Sequence, residues 1–230
     1  MTDTKPTTRS ETTVTKGENN VEHVAHRRHD RTGPAASFMN NRIEHSGQTD
    51  VEVSGTESVP TGVEQSRLII IRGNSGSGKT TLAHAIRKAR PRGVAIVAHD
   101  VLRREILHVR DHPGALSVAY MDMSARYALD HGLDVVVEGI LHAEIYGEML
   151  TRLRSDHRGT THCYYYELEL NETLKRHHTK PLAAEVSDDR VASWYRSGDL
   201  VTGLDEVVFD ATVGARDALE RVLTDTGWNV

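Results

Sequence analysis

Gly73-Asn74-Ser75-Gly76-Ser77-Gly78-Lys79-Thr80-Thr81 is the stretch whose reading decides the fold. It fits G-x-x-x-x-G-K-[ST], a phosphate-binding loop. Its flanks agree. Leu68-Ile69-Ile70-Ile71 is a short β-branched apolar run of the kind that makes a buried strand. Thr81 to Lys88 has a helical pattern, with Leu82, Ala85 and Ile86 on one side. A triphosphate carries several negative charges, so only many donors at close range can hold it. Glycines let the backbone curl until successive N–H groups point inward. The helix that opens at Gly78-Lys79 adds unpaired N–H groups and its positive end. Residues 73–81 are therefore expected to cradle a nucleoside triphosphate. Lys79 would reach the β- and γ-phosphates, and the Thr80 hydroxyl would ligate Mg²⁺.

Outside this loop, the whole chain sets bounds. Its 230 residues allow one domain or two small ones. The formal net charge of −5 supplies no global basic field for nucleic acid or anionic lipid. The single cysteine, Cys163, excludes an intramolecular disulfide and a cysteine-based zinc cluster. It sits in a strand-like run and reads as a buried, inert thiol. No apolar stretch is long enough to span a bilayer, and the N-terminus lacks the apolar core of a signal peptide. A reducing, soluble, cytoplasmic setting is expected.

Residues 1–66 differ from the rest. They are rich in Thr, Ser, Glu, Asn, His and Arg, with isolated valines and no sustained period. Such a segment cannot bury enough apolar surface to offset its ordering entropy, and a disordered tail is expected. His23, His26 and His29 recur every third residue, but a solvated polar tail is preferred over a weak metal site.

From residue 67 onward strands and helices alternate. Val94–Ala98 reads as a strand, Val101–Leu107 as a helix with Leu102 and Ile106 inward, and Ala115–His131 as a longer helix. That helix should bury Val118, Ala119, Ala125, Ala128 and Leu129, with Gly132 as its cap. Val135–Val137 is a third strand, and Ile140–Arg154 an amphipathic helix. His162–Leu168 is a fourth strand, and Asn171 caps a helix from Glu172 toward His178. Asp188–Tyr195 is a short helix, Val207–Phe209 a fifth strand and Ala215–Leu223 a final helix. This alternation is the signature of an α/β fold, a parallel sheet with helices on both faces. Ligands then bind at the carboxyl ends of the strands. Asp100 after the second strand and Glu138 after the third join the loop as site candidates.

A phosphate loop says nucleotide, not what is done with it. A switch GTPase would want N/T-K-x-D, which the chain lacks; Asp111-His112-Pro113-Gly114 has a D-x-x-G form but follows a helix. An assembly ATPase would want an apolar strand ending in Asp or Asp-Glu, which Val135-Val136-Val137-Glu138 matches only in part. A phosphotransferase needs a carboxylate to orient and deprotonate an acceptor hydroxyl, and basic residues to neutralise charge on the moving group. His99-Asp100-Val101-Leu102-Arg103 suits it. One helical turn places Asp100 and Arg103 on one face, as base and substrate-holding guanidinium.

Gly73-x-x-Gly76-x-Gly78-Lys79-Thr80 followed by a strand ending in Asp100-x-x-Arg103 resembles the P-loop kinases. That group includes zeta toxins, polynucleotide 5′-hydroxyl kinases and chloramphenicol phosphotransferase-like enzymes. Val135 to Leu141, Arg176-His177-x-x-Lys180-Pro181 and Trp194-Tyr195 add to the likeness, which covers 67–230. The resemblance implies a three-layer sandwich on a five-stranded sheet in the order 2-3-1-4-5, with a small helical lid. It implies ATP and Mg²⁺ as cofactors, Asp100 as general base and Arg103 as a hold on the acceptor. Arg176, with Lys180 nearby, becomes the lid cation. Glu138 stands where relatives carry an acidic residue that serves Mg²⁺ or the acceptor; many P-loop enzymes have Asp there.

The acceptor is not legible. A small-molecule hydroxyl is preferred over a polynucleotide end, which would want a basic channel; Arg103, Arg104, Arg110, Arg152, Arg154 and Arg158 are candidates to line one. The Tyr164–Tyr166 run is either a stacking surface or core. A regulator that hydrolyses nucleotide slowly, timing a partner interaction, is the alternative of a different class.

Overall fold

The computed structural model describes residues 58–178 and 186–228. Five strands make one parallel sheet: β1 (Arg67–Gly73), β2 (Val94–Ala98), β3 (Asp134–Glu138), β4 (Thr160–Tyr166) and β5 (Val207–Phe209). Their order is β2-β3-β1-β4-β5, the one the resemblance implied. β1 is central, with Ile70 beside Val137 of β3 and beside Cys163 of β4. The loop after Gly73 therefore leaves the middle of the sheet at its carboxyl edge, where β2 and β3 also deliver Asp100 and Glu138.

Among the described residues six α-helices complete the layers: α1 (Lys79–Ala89), α2 (Leu116–Asp130), α3 (Ala143–Asp156), α4 (Leu170–His177), α5 (Asp188–Trp194) and α6 (Ala215–Asp225). The two-residue period of β1 divides the core between them. Leu68 and Ile70 pack with Met121 and Leu129 of α2 and with Tyr146, Leu150 and Leu153 of α3. Ile69 and Ile71 pack on the other face with Leu82 and Ile86 of α1 and with Ala218 and Val222 of α6. Leu68, Ile69, Ile70 and Ile71 are all fully buried, which is why this part of the strand reads as an unbroken apolar run. Each contributes about 1.5–3 kcal/mol by leaving water.

Several local expectations are corrected. Val101–Ile106 is a π-helical turn, not an α-helix: Leu107 N–H donates to the Leu102 carbonyl, five residues back, at 2.9 Å. The wider turn shifts the phase, so Ile106 points to solvent. In α2 Ala125, Ala128 and Leu129 are buried and Val118 packs partly on the core, as expected, but Ala119 is exposed, and Ser117 and Met121 complete the buried face instead. α3 starts at Ala143, because 140–142 form an irregular turn. Glu169, not Asn171, is the residue before α4, and no side chain caps that end. All three of Tyr164, Tyr165 and Tyr166 are buried, which removes them as a stacking surface. Cys163 is buried as expected, and burial pushes its thiol up to about 12.

Residues 58–66, grouped by composition with the tail, pack on the amino end of the sheet. Thr61 bridges to His157, and both its hydroxyl and the Gly62 N–H donate to Asp130. Asp156 accepts from the Ser58 hydroxyl. The rest of that segment, His23, His26 and His29 included, lies outside the described residues, as do Lys180 and Pro181. Among the described residues no helix is long and apolar enough to cross a membrane.

Candidate active site

The loop 73–78 runs from β1 into α1 with the backbone its glycines permit. Gly73 has φ of 134° and Gly76 of 79°. A Cβ at Gly73 would stand 2.5 Å from the Tyr166 carbonyl oxygen, and one at Gly76 2.9 Å from that of Thr173. β4 and α4 thus pack directly against the loop at its glycines. The first helical bond of α1 runs from Leu82 N–H to the Gly78 carbonyl, which leaves the N–H groups of the first turn to other partners. No side chain caps this end, and no carboxylate lies in its first turn. An anion suits those donors, so the loop fits a polyphosphate.

Lys79 is buried, and its Nζ donates to the Asn74 carbonyl at 2.7 Å and to Ser77 Oγ at 3.1 Å. The ammonium thus lies within the loop, ready for a phosphate oxygen to compete for it. The Thr80 hydroxyl donates to both Glu138 oxygens at 3.2 Å. Burial raises the Glu138 carboxyl above its ordinary range, opposed by the charge of Lys79 and the Thr80 hydrogen bond. Thr80 and Glu138 are hard oxygen donors of the kind Mg²⁺ takes alongside phosphate oxygens and water. Among the described residues no group of three or more His, Cys, Asp or Glu is placed to hold a metal ion alone.

Three cavities surround the loop. The smallest, about 100 Å³, is walled by residues 75–81 with Asp100, Glu138, Ile140 and His177. A second, about 250 Å³, shares Gly76, Ser77 and Gly78 with it and is closed by Tyr166, Arg176 and Val213. The third, about 530 Å³, shares Ser75, Asp100 and Ile140 with the first. Asp100 thus stands where the phosphate chamber meets a chamber the size of a small molecule. Its side chain is 59% exposed, and Arg103 reaches it at 3.5 Å.

The structure brings together the loop, Asp100 and Glu138, with Arg103 in the adjoining chamber. Arg176 reaches the loop from the other side: its Nε donates to Glu172 at 2.7 Å and its Nη1 to the Ser77 carbonyl at 3.3 Å. Arg152 and Arg154 do not join Arg103, Arg104 and Arg110. They pair with Glu148 and Asp205 instead, and neither they nor Arg158 line the chamber.

Four residues support the site through contacts that the sequence does not foretell. Arg72, at the end of β1, is fully buried. It donates to the Leu141 carbonyl, to both oxygens of Glu206, and to the Asp199 carbonyl and carboxylate, which engages all three of its nitrogens. Leu141, buried at φ of 46°, holds an unusual left-handed backbone at that contact. The Asn74 side chain donates to the Arg196 carbonyl at 2.6 Å and accepts from the Arg196 N–H at 2.9 Å, which ties the loop to the segment after α5.

His99, buried beside Asp100, is the third. Its Nε2 lies 2.8 Å from the Tyr146 hydroxyl and 3.2 Å from Asp111, and Tyr146 also donates to Asp111. Burial alone would raise the Asp111 carboxyl, but hydrogen bonds from His99 and Tyr146 outweigh it and hold it low. This cluster ties the end of the π turn's segment to α3. His177, the fourth, meets the Val186 carbonyl at 2.8 Å and so joins α4 to the segment ahead of α5.

The zeta toxin family model matches residues 50–155, the stretch that holds the loop, Asp100 and Glu138. No curated protein matches the chain in sequence. Solved structures share the fold. A Chloroflexus aurantiacus protein provisionally described as a kinase aligns with a TM-score of 0.56 and 16% identity over 74% of this chain and 100% of its own. A gluconokinase of Sinorhizobium meliloti aligns at 0.51 and 16% over 72% of this chain and 94% of its own. The APS kinase of Mycobacterium tuberculosis, solved with AMPPNP and APS, aligns at 0.51 and 16% over 74% and 99%. The sheet and its flanking helices are those of the fold these solved structures share.

Proposed function

We propose that this chain, a P-loop kinase fold whose residues 50–155 match the zeta toxin model, is an ATP-dependent phosphotransferase acting in the cytoplasm. Its domain, 67–230, moves the γ-phosphate to a hydroxyl of a small molecule, with Mg²⁺. The observation that carries this reading is the position of Asp100 in the walls of both the phosphate chamber and the 530 Å³ chamber.

Each residue has a task in it. The amides of 73–81 and the Lys79 ammonium hold the phosphates and leave the outermost one toward Asp100. Thr80, oriented by Glu138, would hold Mg²⁺, whose charge neutralises oxygens of the β- and γ-phosphates when bound. Asp100 accepts the proton of the acceptor hydroxyl as the hydroxyl oxygen bonds to the γ-phosphorus and the bond from that phosphorus to the bridging oxygen breaks, releasing ADP. Arg103 steadies the acceptor. Arg176, fixed by Glu172, adds positive charge beside the loop as negative charge spreads over the moving group. Alignment and charge neutralisation supply most of the rate in such a transfer.

The test is γ-labelled ATP against a panel of nucleosides, aminoglycosides, sugar nucleotides and 5′-hydroxyl oligonucleotides. Stoichiometric labelled product is expected from a small hydroxyl compound. Asp100→Asn should bind ATP normally and transfer phosphate about 10²–10⁴-fold more slowly. Transfer at the wild-type rate in that variant removes Asp100 as the base. Slow turnover that ignores every acceptor but responds to a protein partner would replace the kinase with a regulator.

A further inference from the structure

We infer that the acceptor carries an acid group, a carboxylate or a phosphate, and that Arg110 and Arg190 receive it in the 530 Å³ chamber. The hydroxyl end of this inference rests on the phosphotransfer reading; the acid end rests on the chamber alone.

Five arginines, Arg103, Arg104, Arg110, Arg190 and Arg196, line the chamber, against three acidic residues, Asp100, Asp111 and Glu144. Two of those carboxylates already have partners. Asp111 is taken by Tyr146 and His99, and Asp100 by Arg103. Arg196 turns its guanidinium back to the Ser193 and Tyr195 carbonyls. Among the described residues, no carboxylate lies within ion-pairing distance of Arg104, Arg110 or Arg190. Like charges gathered on one concave wall repel each other, and an anion placed among them relieves that repulsion.

The wall is built, not incidental. Arg103, Arg104 and Arg110 come from a segment with a π turn at one end, a left-handed His108 (φ 51°) within it, and Asp111 fastened to Tyr146 and His99 at the other. Irregular backbone of this kind costs free energy and persists where its surroundings hold it, often at functional sites. Arg190 enters from α5 and lies over the Trp194 ring at 5.5 Å, which limits its rotamers before any ligand arrives. A planar guanidinium fixed in advance suits the paired oxygens of a carboxylate or phosphate. A neutral polyol offers nothing that water does not. The size of the chamber favours a small molecule over a nucleic-acid end, and Arg152, Arg154 and Arg158, which would extend a channel, lie outside it.

The experiment pairs acceptors that differ only in the acid group: glucose against gluconate and against glucose 6-phosphate, and glycerol against glycerate and against glycerol 3-phosphate. The 5′-hydroxyl oligonucleotide is a further arm. With the full chain, Mg²⁺ and γ-labelled ATP, the acid members should be used at least about tenfold better in kcat/KM than their neutral partners. The carboxylate and phosphate arms show which acid is taken. The exposed positions allow Arg110→Glu with Arg190→Glu without loss of the fold, and this double variant should lose the preference through a higher KM for the acid member.

A separate binding measurement frees the inference from catalysis. In Lys79→Ala, the acid members should raise the melting temperature where the neutral members do not, and the two Glu substitutions should abolish the effect. Acid binding there without phosphorylated product in the wild type upholds the acid site and overturns the phosphotransfer reading. Equal use of neutral and acid members, preference for the oligonucleotide, or no acid-dependent stabilisation in Lys79→Ala overturns the inference.

Discussion

Arg72→Met removes the charge at the end of β1 while keeping a long apolar stem. The guanidinium makes five hydrogen bonds in a site with no solvent exposure. Its loss strands Glu206, whose side chain is 1% exposed, and weakens Asp199, at 17%. Removing one partner from a buried ion pair costs about 3–5 kcal/mol, because the remaining charge keeps its desolvation penalty. For a domain of this size each kcal/mol lowers the melting temperature by about 2–4 °C, so a fall of about 6–20 °C is expected. The Leu141 carbonyl also loses its donor, and Leu141 has the left-handed backbone that shapes the turn beside Gly139, Ile140 and His142. The turn lines both chambers, so phosphotransfer measured below the new melting point should fall as well. Thermal unfolding followed by circular dichroism gives the first number and labelled ATP the second. Adding Glu206→Gln should restore part of the stability by removing the stranded charge. A single variant that melts within about 2 °C of the wild type would refute the reasoning that the cluster holds this turn.

Lys79→Ala should abolish turnover, with a loss of about 10³–10⁵ in rate; unchanged ATP consumption takes the loop out of the mechanism. Gly76→Ala places a Cβ 2.9 Å from the Thr173 carbonyl at φ of 79°, so it should cost about 1–3 kcal/mol and weaken nucleotide binding, read by equilibrium titration. The Asp111 carboxyl is held below its unfolded value, so it contributes stability above that value, near pH 4, and loses it as pH falls through the lower folded value. Tyr146→Phe removes one of the bonds that hold it low, so the wild type's melting temperature should fall more between pH 5 and pH 3 than the variant's. Parallel curves would show that the bond does not set this carboxyl.

Much of the fold was legible because its signals are local. The loop, the apolar strands and the alternation with helices each rest on neighbours within one or two turns, and Asp100 and Glu138 were found simply by following strands to their carboxyl ends. The supports were not legible, because their partners lie far along the chain. Arg72 meets Leu141 and Glu206 across 69 and 134 residues, and Asn74 meets Arg196 across 122. A charge closing an apolar strand was the one visible trace of Arg72. The π turn escaped because Leu102 and Ile106 have the spacing of an ordinary helix; only the extra residue in the turn, a matter of hydrogen bonding, sends Ile106 outward. His99 and Asp111 lie at two ends of the connection from β2 to α2 and Tyr146 lies in α3, and no spacing foretells their meeting.

The Asn74 amide has a consequence for the order of events. One end of it belongs to the loop proposed to grip the nucleotide, and the other clasps residue 196 in the wall of the chamber proposed for the acceptor. When the first is stilled, the second loses freedom too, and part of the entropy cost of the later arrival has already been met. Reciprocity makes the help mutual: whichever molecule enters first should tighten the grip on the other by the same factor.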